Sequence, residues 1–168
     1  DVYKRQILIL IPVFNDWESL QKLIVELNEN IKDFNTISVD CLIVNDASTI
    51  SCPEIKMPPK IKSLEIIDMK KNQGHARCIA FGIRHLSKRE DFDYLILMDG
   101  DGEDRPEEIK LLVEKAFTHK NTSIVAKRIK RSEGVFFKTL YELHKLLTLI
   151  FTGKKVNFLQ VFLACRVQ

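Results

Sequence analysis

The sequence lacks a cysteine framework, long apolar runs and any excess of glycine or proline. Six glycines and five prolines in 168 residues exclude collagen and low-complexity chains. The four cysteines (Cys41, Cys52, Cys78 and Cys165) form no CxxC or Cys/His spacing. They therefore predict reduced thiols in a cytosolic protein. No apolar run reaches about 18 residues, so the sequence as given predicts no membrane-spanning helix, and it shows no secretory signal.

The charge of the chain is nearly balanced. Lys and Arg number 26 against 23 Asp and Glu, which gives a net charge of +3. This excess is too small to predict a nucleic-acid partner. With 45% hydrophobic and 29% charged residues, the length corresponds to one globular domain with one sizeable core.

Both ends of the chain are atypical. Residues 1–6 (DVYKRQ) match the translation of a common sequencing adaptor, so they are expected to be non-native and are excluded from the fold prediction. Residues 158–168 lack a clear stop signal or helix cap. The chain is therefore expected to be a fragment of a longer protein.

Predicted strands alternate with predicted helices along the chain. The first strand is a continuous apolar run, which is typical of a strand buried on both faces. We expect Asn15 to cap the first helix with Glu18 as its capping-box partner, and Ile79, Ile83 and Leu86 to face the core from the second helix. This alternation predicts an α/β three-layer sandwich with a mainly parallel sheet. The predicted strands are Ile7–Val13, Val39–Val44, Leu64–Ile67, Tyr94–Met98 and Ser123–Ala126, and the later helices are 74–88, one opening at Pro106, and 133–151.

Acidic residues are concentrated after the fourth strand, in the segment DGDGED. Asp99 and Asp101 flank a glycine, and two carboxylates this close favour a shared hard cation such as Mg²⁺ or Mn²⁺. A solvated acidic turn is the simpler alternative. An EF-hand is excluded, because the sixth and twelfth loop positions hold Asp104 and Lys110. A phosphatase with Asp99 as nucleophile stays open, although Glu103 replaces the expected Thr or Val.

The charge reverses in the next segment. From Lys127 to Lys155 there are eight basic residues against two glutamates. Arg128 and Arg131 follow the fifth strand directly, close to the edge where parallel sheets bind ligands. Together with the acidic turn they would hold a diphosphate from two sides, whereas the alternative is a solvated helix face.

Four motifs resemble, in order and spacing, those of family 2 glycosyltransferases with the A-type nucleotide-sugar fold: ILIPVFND, VNDAST, NQGHARCIAFG and LMDGDGEDRPEEI. The resemblance covers about residues 7–155. Asn45 and Ala47 depart from the family's V-D-D-G-S, and Ala80 lies two places past the usual alanine. The resemblance implies a nucleotide site made by Pro12, Phe14, Asn15, Asp46, Asn72, Gly74, Arg77, Asp99 and Gly100.

The same resemblance implies the metal and the chemistry. Mn²⁺ or Mg²⁺ would be held by Asp99, Asp101 and Glu103, and Asp101, Arg128 and Arg131 would be the catalytic residues. The implied reaction is metal-dependent transfer of a sugar from a UDP- or GDP-sugar, with inversion at the anomeric carbon. The other reading is a nucleotide-binding module that transfers nothing.

Within the family the chain most resembles the polyprenyl-phosphate sugar transferases. This implies a lipid-phosphate or cell-envelope glycan acceptor and a cytoplasmic location at the inner face of the cell membrane. Residues 7–131 would form the nucleotide-sugar-binding core. Residues 132–168 would supply an amphipathic helix and a truncated acceptor-side segment. That helix is expected either to lie on a membrane surface or to pack on the sheet or on further chain.

Overall fold

A six-stranded sheet organises the described part of the chain, in the order β3-β2-β1-β4-β6-β5. The computed structural model describes residues 5–102, 104–119, 122–126, 143, 146, 147, 150, 151 and 163–166. The first four strands along this order run parallel, and β6 runs antiparallel to β4. The predicted α/β class with a mainly parallel sheet is confirmed. The strands are β1 (Arg5–Val13), β2 (Ile37–Asn45), β3 (Ile61–Asp68), β4 (Tyr94–Leu97), β5 (Ile124–Val125) and β6 (Leu163–Arg166).

Between residues 5 and 119, three α-helices and one short 3₁₀ turn connect the strands. The 3₁₀ turn Pro106–Glu108 leads directly into the third helix, with Pro106 at its start, where a missing N–H costs nothing. The helices are α1 (Trp17–Asn30), α2 (His75–Leu86) and α3 (Ile109–Thr118).

Strand β1 is buried on both of its faces, as its continuous apolar run predicts. Leu8 and Leu10 pack in one cluster with Cys78 and Leu86 of α2. The intervening side chains point to the opposite face of the sheet, because side chains alternate along a strand. Those residues (Ile7, Ile9 and Ile11) are at most 1% exposed, so both faces of the strand are covered.

Strand β1 begins two residues earlier than predicted, and the two excluded residues belong to the sheet. Arg5 pairs with Ile37, and its guanidinium carbon lies 3.9 Å from the centre of the Phe117 ring. The backbone N–H of Gln6 donates to the Asp93 carboxylate at 2.8 Å. The sequence predicts the later start because the apolar run begins at residue 7 and residues 1–6 are excluded as non-native.

Two local predictions for the helices are wrong. The N-cap of α1 is Asp16, whose carboxylate accepts from the backbone N–H of Ser19 at 3.2 Å, and Asn15 lies before it in a left-handed conformation with φ of 57°. On α2, Ile83 is 41% exposed, because the buried stripe runs through Cys78, Gly82 and Leu86 instead.

Strand β6 was not predicted. It pairs with β4 between Tyr94↔Arg166 and Ile96↔Ala164, and it separates β4 from the short strand β5. Four residues with no flanking turn signal carry too little pattern to predict a strand. Most of the helix predicted over residues 133–151 lies outside the described residues; the five that are described (143, 146, 147, 150 and 151) are helical.

The chain divides into two compact units, residues 1–124 with 162–168, and residues 125–161. The domain boundary expected after residue 131 stays a prediction. Across the described part of the chain, no helix combines the length and the apolar character needed to cross a bilayer.

Gly82 allows α2 to lie close to the sheet. A Cβ atom at this position would stand 2.6 Å and 2.9 Å from the two methyl carbons of Leu10 and 3.2 Å from Val44. Leu10 is fully buried, so its side chain cannot move aside into solvent. We expect Gly82→Val to lower the free energy of unfolding by about 2 kcal/mol, since overpacking costs about 1–3 kcal/mol and outweighs the few tenths of a kcal/mol by which valine exceeds glycine in helix propensity.

Urea unfolding followed by circular dichroism measures this effect. Ala80→Val is the matched control on the same helix, because Ala80 is exposed and the substitution there costs only the helix propensity, less than about 1 kcal/mol. Equal losses in the two variants would contradict the close approach at Gly82.

Candidate functional site

The carboxyl ends of β1, β2 and β4 bring three turns together at one edge of the sheet. The backbone N–H of Asp46 donates to the Val13 carbonyl at 2.8 Å, and that of Met98 donates to the Leu10 carbonyl at 3.1 Å. A Cβ atom added to Gly100 would stand 3.0 Å from the carbonyl oxygen of Pro12. Only glycine therefore lets the acidic turn after β4 lie against the end of β1 without displacing backbone.

Asn15 ties the turn after β1 to the turn after β2. Its side-chain oxygen accepts from the backbone N–H groups of Thr49 at 2.7 Å and Ile50 at 3.0 Å. Its own backbone N–H donates to the Ser48 hydroxyl at 2.9 Å. Asparagine tolerates the left-handed conformation that this arrangement requires. Asn15 thus links two turns of the predicted nucleotide site by hydrogen bonds.

Asp46 holds the turn that precedes α2 through two hydrogen bonds. The side chain is only 3% exposed. One carboxylate oxygen accepts from the N–H of Gln73 and the other from the N–H of Gly74, both at 2.8 Å. Gly74 has a φ of 84°, which favours glycine. An ionised carboxylate has about four acceptor positions, so these two bonds leave capacity for a ligand donor.

The acidic turn after β4 faces the beginning of α2. The Nε2 atom of His75 lies 3.3 Å from a carboxylate oxygen of Asp99. Behind the turn, the Asp104 carboxylate accepts from the backbone N–H of Asp99 at 2.7 Å. Asp99 is half-buried, whereas Asp101 is exposed. The structure thus brings the second, third and fourth sequence motifs to one edge.

The donor atoms at this turn fit a hard divalent cation. Asp99 and Asp101 offer only oxygen ligands, which Mg²⁺ and Mn²⁺ prefer. Within the described residues, no three His, Cys, Asp or Glu side chains are grouped so that they could hold an ion by themselves. A Mg²⁺ ion held by one or two carboxylates normally completes its shell with phosphate oxygens and water. Glu103, the third predicted ligand, lies outside the described residues.

A basic groove of about 400 Å³ lies beside the Asp46 turn. Arg77 lines it and donates from Nη1 to the side-chain oxygen of Gln73 at 3.2 Å. Asn72 is exposed nearby, and Phe14 is 47% exposed on the turn after β1. All four charged side chains of the groove are cationic, which favours an anionic ligand. The groove is lined by Met69, Lys70, Lys71, Gln73, Arg77, Ala80, Phe81 and Arg84.

Several residues singled out from the sequence contribute differently or lie outside the described part. The predicted catalytic residues Arg128 and Arg131 are not among the described residues. The Cys78 thiol is fully buried and donates to the Val44 carbonyl at 3.2 Å. Burial, followed by the nearby charge of Asp46, raises the pKa of Cys78 to about 11. At neutral pH this cysteine is a packed, protonated side chain and no nucleophile.

Sequence reasoning missed the side chains that hold the site together. Ser48 and Asp104 were not assigned a role, and Asn45 was noted only as a departure from the motif. Asn45 accepts from the backbone N–H of Ser48 at 3.0 Å, which is a local side-chain turn that the spacing Asn-x-x-Ser could have signalled.

Solved structures of other proteins share this fold. Mannosyltransferase PcManGT from Pyrobaculum calidifontis, solved with GDP-Man and Mn²⁺, superposes with a TM-score of 0.57 at 15% identity, over 85% of this chain and 39% of that one. TarS 1–349 of S. aureus with UDP gives 0.54 at 20% identity, over 77% and 38%. The family described as glycosyl transferase family 2 matches residues 8–166, and the chain belongs to it.

Two curated relatives match at 28% identity. One is undecaprenyl-phosphate 4-deoxy-4-formamido-L-arabinose transferase of Salmonella choleraesuis, over 91% of this chain and 46% of the relative. The other is the uncharacterized protein MJ0544 of Methanocaldococcus jannaschii, over 63% of this chain and 44% of the relative. The chain spans less than half the length of these relatives.

Ala47 adopts a left-handed conformation, with φ of 57°, in the turn after β2. A residue with a Cβ costs about 1–2 kcal/mol there, while glycine loses about 0.5–1 kcal/mol through the entropy of the unfolded chain. We expect Ala47→Gly to raise the free energy of unfolding by about 0.5–1 kcal/mol and Tm by roughly 1–4 °C.

Thermal unfolding of the variant and the wild type measures the shift. Ala80→Gly, the same substitution at an exposed helical position, should have the opposite sign and cost about 1 kcal/mol. A lower Tm for Ala47→Gly would show that the conformation of this turn carries no strain.

Proposed function

We propose that this chain is the donor-binding part of a metal-dependent glycosyltransferase. It would bind a UDP- or GDP-sugar and transfer the sugar, with inversion, to a polyprenyl phosphate or a cell-envelope glycan. The observation that carries the proposal is the meeting of the turns after β1, β2 and β4 at one edge. There Asp46 fastens the start of α2 at 2.8 Å, and His75 of α2 lies 3.3 Å from Asp99. Family membership and the GDP-Man and UDP complexes of similar folds support the same reading.

The nucleotide would lie across the turns after β1 and β2. Phe14 offers an exposed aromatic face for a base, and Asp46 has acceptor capacity left for a base N–H. Pro12, Asn15, Asn72 and Gly74 would shape this part of the site. Arg77 and the neighbouring lysines of the basic groove would contact phosphate oxygens, since a guanidinium pairs with phosphate in a bidentate way.

The diphosphate would lie at the acidic turn. Asp99 and Asp101 would hold Mn²⁺ or Mg²⁺, with Glu103 as a further ligand, and Gly100 leaves room for the phosphates. When bound, the ion would neutralise the negative charge that develops on the leaving diphosphate. Arg128 and Arg131 are proposed to add positive charge at the same diphosphate.

The acceptor decides whether a general base is required. A lipid phosphate has its second ionisation near pH 6, so its oxygen is already an anionic nucleophile at neutral pH. The relative from Salmonella choleraesuis is named for an undecaprenyl-phosphate acceptor. A hydroxyl acceptor of a glycan would need a carboxylate base. We propose the lipid phosphate, because the nucleophile then arrives charged.

A membrane surface is proposed as the partner of the apolar helix in the second unit. Its five described residues follow the spacing i, i+3, i+4, i+7, i+8, which is one face of a helix. They are between 44% and 81% exposed. Lysines flank them in the sequence, so an anionic lipid surface complements both the apolar face and the charge. The residues are Leu143, Leu146, Leu147, Ile150 and Phe151.

Nucleotide binding tests the donor site first. Calorimetric titration with UDP, GDP, CDP and ADP in Mn²⁺ should give binding by one of the uracil or guanine nucleotides. Chelation of the metal and Asp101→Ala should each weaken that binding at least about tenfold, because both leave the diphosphate charge uncompensated.

Asp33→Ala is the matched control, since Asp33 is an exposed aspartate between α1 and β2, at the opposite edge of the sheet. It should bind as the wild type does. Binding without any transfer by the full-length parent would favour the nucleotide-binding module. No binding of any nucleotide by the folded protein would contradict the donor site and revive the phosphatase reading.

Vesicle co-sedimentation tests the membrane surface. The chain should pellet with vesicles of phosphatidylglycerol and phosphatidylcholine, and less so with phosphatidylcholine alone. Ile150→Glu with Phe151→Glu should reduce binding at least about fivefold, since two apolar side chains lose their transfer energy. Leu111→Glu, at a position 55% exposed on α3, controls for a general loss of apolar surface. Equal binding by all three proteins would remove this helix from the membrane contact.

A further inference from the structure

Asn45 and Asp68 form a cross-strand pair at the carboxyl ends of β2 and β3. They are register partners in the parallel ladder, and the Asn45 amide donates to the Asp68 carboxylate at 2.7 Å. Asn45 is 8% exposed, whereas Asp68 is exposed. The amide therefore lies in the protein and the carboxylate keeps contact with water. A hydrogen bond to a charged acceptor is among the stronger ones in proteins.

The other end of the Asn45 amide serves the neighbouring turn. Its oxygen accepts from the N–H of Ser48 at 3.0 Å and from the Ser48 hydroxyl at 2.5 Å. That hydroxyl in turn accepts from the backbone N–H of Asn15 at 2.9 Å. A continuous chain of hydrogen bonds thus runs from the end of β3 to the turn after β1. Only a side chain that donates at one end and accepts at the other completes it.

We propose that Asn45 is a positioning residue of the nucleotide site and that its amide is selected by Asp68. This inference rests on the proposed function, because the adjacent residue Asp46 holds the turn before α2 through Gln73 and Gly74. Asn45 orients the backbone that carries Asp46 and acts on the nucleotide only through it.

The Asn45–Asp68 pair explains why aspartate is disfavoured at position 45 of this chain. The family motif that the segment resembles has an acid here, and aspartate keeps the acceptor oxygens for Ser48. It cannot donate to Asp68, and two facing carboxylates repel each other across the strands. The reciprocal pair, aspartate at 45 and asparagine at 68, restores both one donor and one carboxylate.

The test is a cycle of four proteins: the wild type, N45D, D68N and N45D with D68N. Each is titrated with the preferred nucleoside diphosphate and Mn²⁺ at pH 8 and pH 5.5. N45D should bind about tenfold more weakly at pH 8, a typical coupling for a contacting pair. Relative to the wild type it should recover at pH 5.5, because mutual repulsion raises the pKa of the carboxyl pair and protonation at lower pH removes the repulsion.

D68N should bind within about twofold of the wild type, since an amide oxygen still accepts from Asn45. The double variant should recover most of the affinity at pH 8. A general structural role would give neither this rescue nor the pH dependence. Unchanged binding by N45D, or a double variant as weak as N45D, would overturn the proposal. If N45D does not fold, a folded and binding double variant supports the pair, and an unfolded one refutes it.

Failure of the proposed function is distinguishable from failure of the pair. If the wild type binds no nucleotide, the donor site is wrong. Thermal unfolding of the same four proteins at both pH values then decides the pair by itself. At pH 8, Tm should fall in N45D and return towards the wild-type value in the double variant. At pH 5.5 the difference should be smaller. This result would support the Asn45–Asp68 interaction. Additive changes in Tm remove it.

Discussion

Burial of β1 on both faces is the constraint on which the rest of the site depends. Its residues Ile9, Leu10 and Ile11 are completely excluded from solvent, so no polar side chain can be placed along the strand itself. The parallel neighbour β2 holds one buried acid beside β1, Asp40, which accepts from the Ser63 hydroxyl, and is apolar from Cys41 to Val44. The polar side chains of the candidate site therefore lie at the carboxyl ends of the strands and in the turns that follow them. Because the strands are parallel, those turns meet at a single edge.

Much of the polar chemistry at that edge organises the protein before any ligand arrives. Asp46 binds two backbone N–H groups, and Asp104 binds a third at Asp99. These bonds hold the loops in place and supply hydrogen-bond donors to both carboxylates. Loops that are already held in place lose less conformational entropy when a nucleotide binds than free loops would lose. The acids of the edge thus already have a structural role in holding its turns.

The sequence predicts helices and strands well where the periodic pattern is long. It predicts them poorly where a tertiary contact sets the helix cap, the buried face or the strand pairing. The run Ile7–Val13 and the helical stripe of α1 are strong periodic signals, so both elements appear where expected. Asn15 has the composition of a helix cap, yet Asp16 caps α1 because Asn15 is bound to Thr49 and Ile50. On α2 a glycine faces the sheet in place of Ile83, which periodicity cannot anticipate because Gly82 is selected by the distance to Leu10. The pairing of β6 depends on a partner about 70 residues away, and no local pattern encodes it.

The residues of the candidate donor site and the proposed membrane-contacting helix come from different parts of the chain. Every polar side chain that the structure brings to the carboxyl edge lies between residues 15 and 104, within the first compact unit. The proposed arginines at 128 and 131 and the apolar helical face lie in the segment 125–161, which is the second unit. The relatives are more than twice as long as the matched region. The described residues of the candidate donor site therefore lie in the first unit, whereas the second unit holds the apolar helical face proposed to contact a membrane. Loss of membrane binding with retained nucleotide binding is the expected behaviour of changes confined to that helical face.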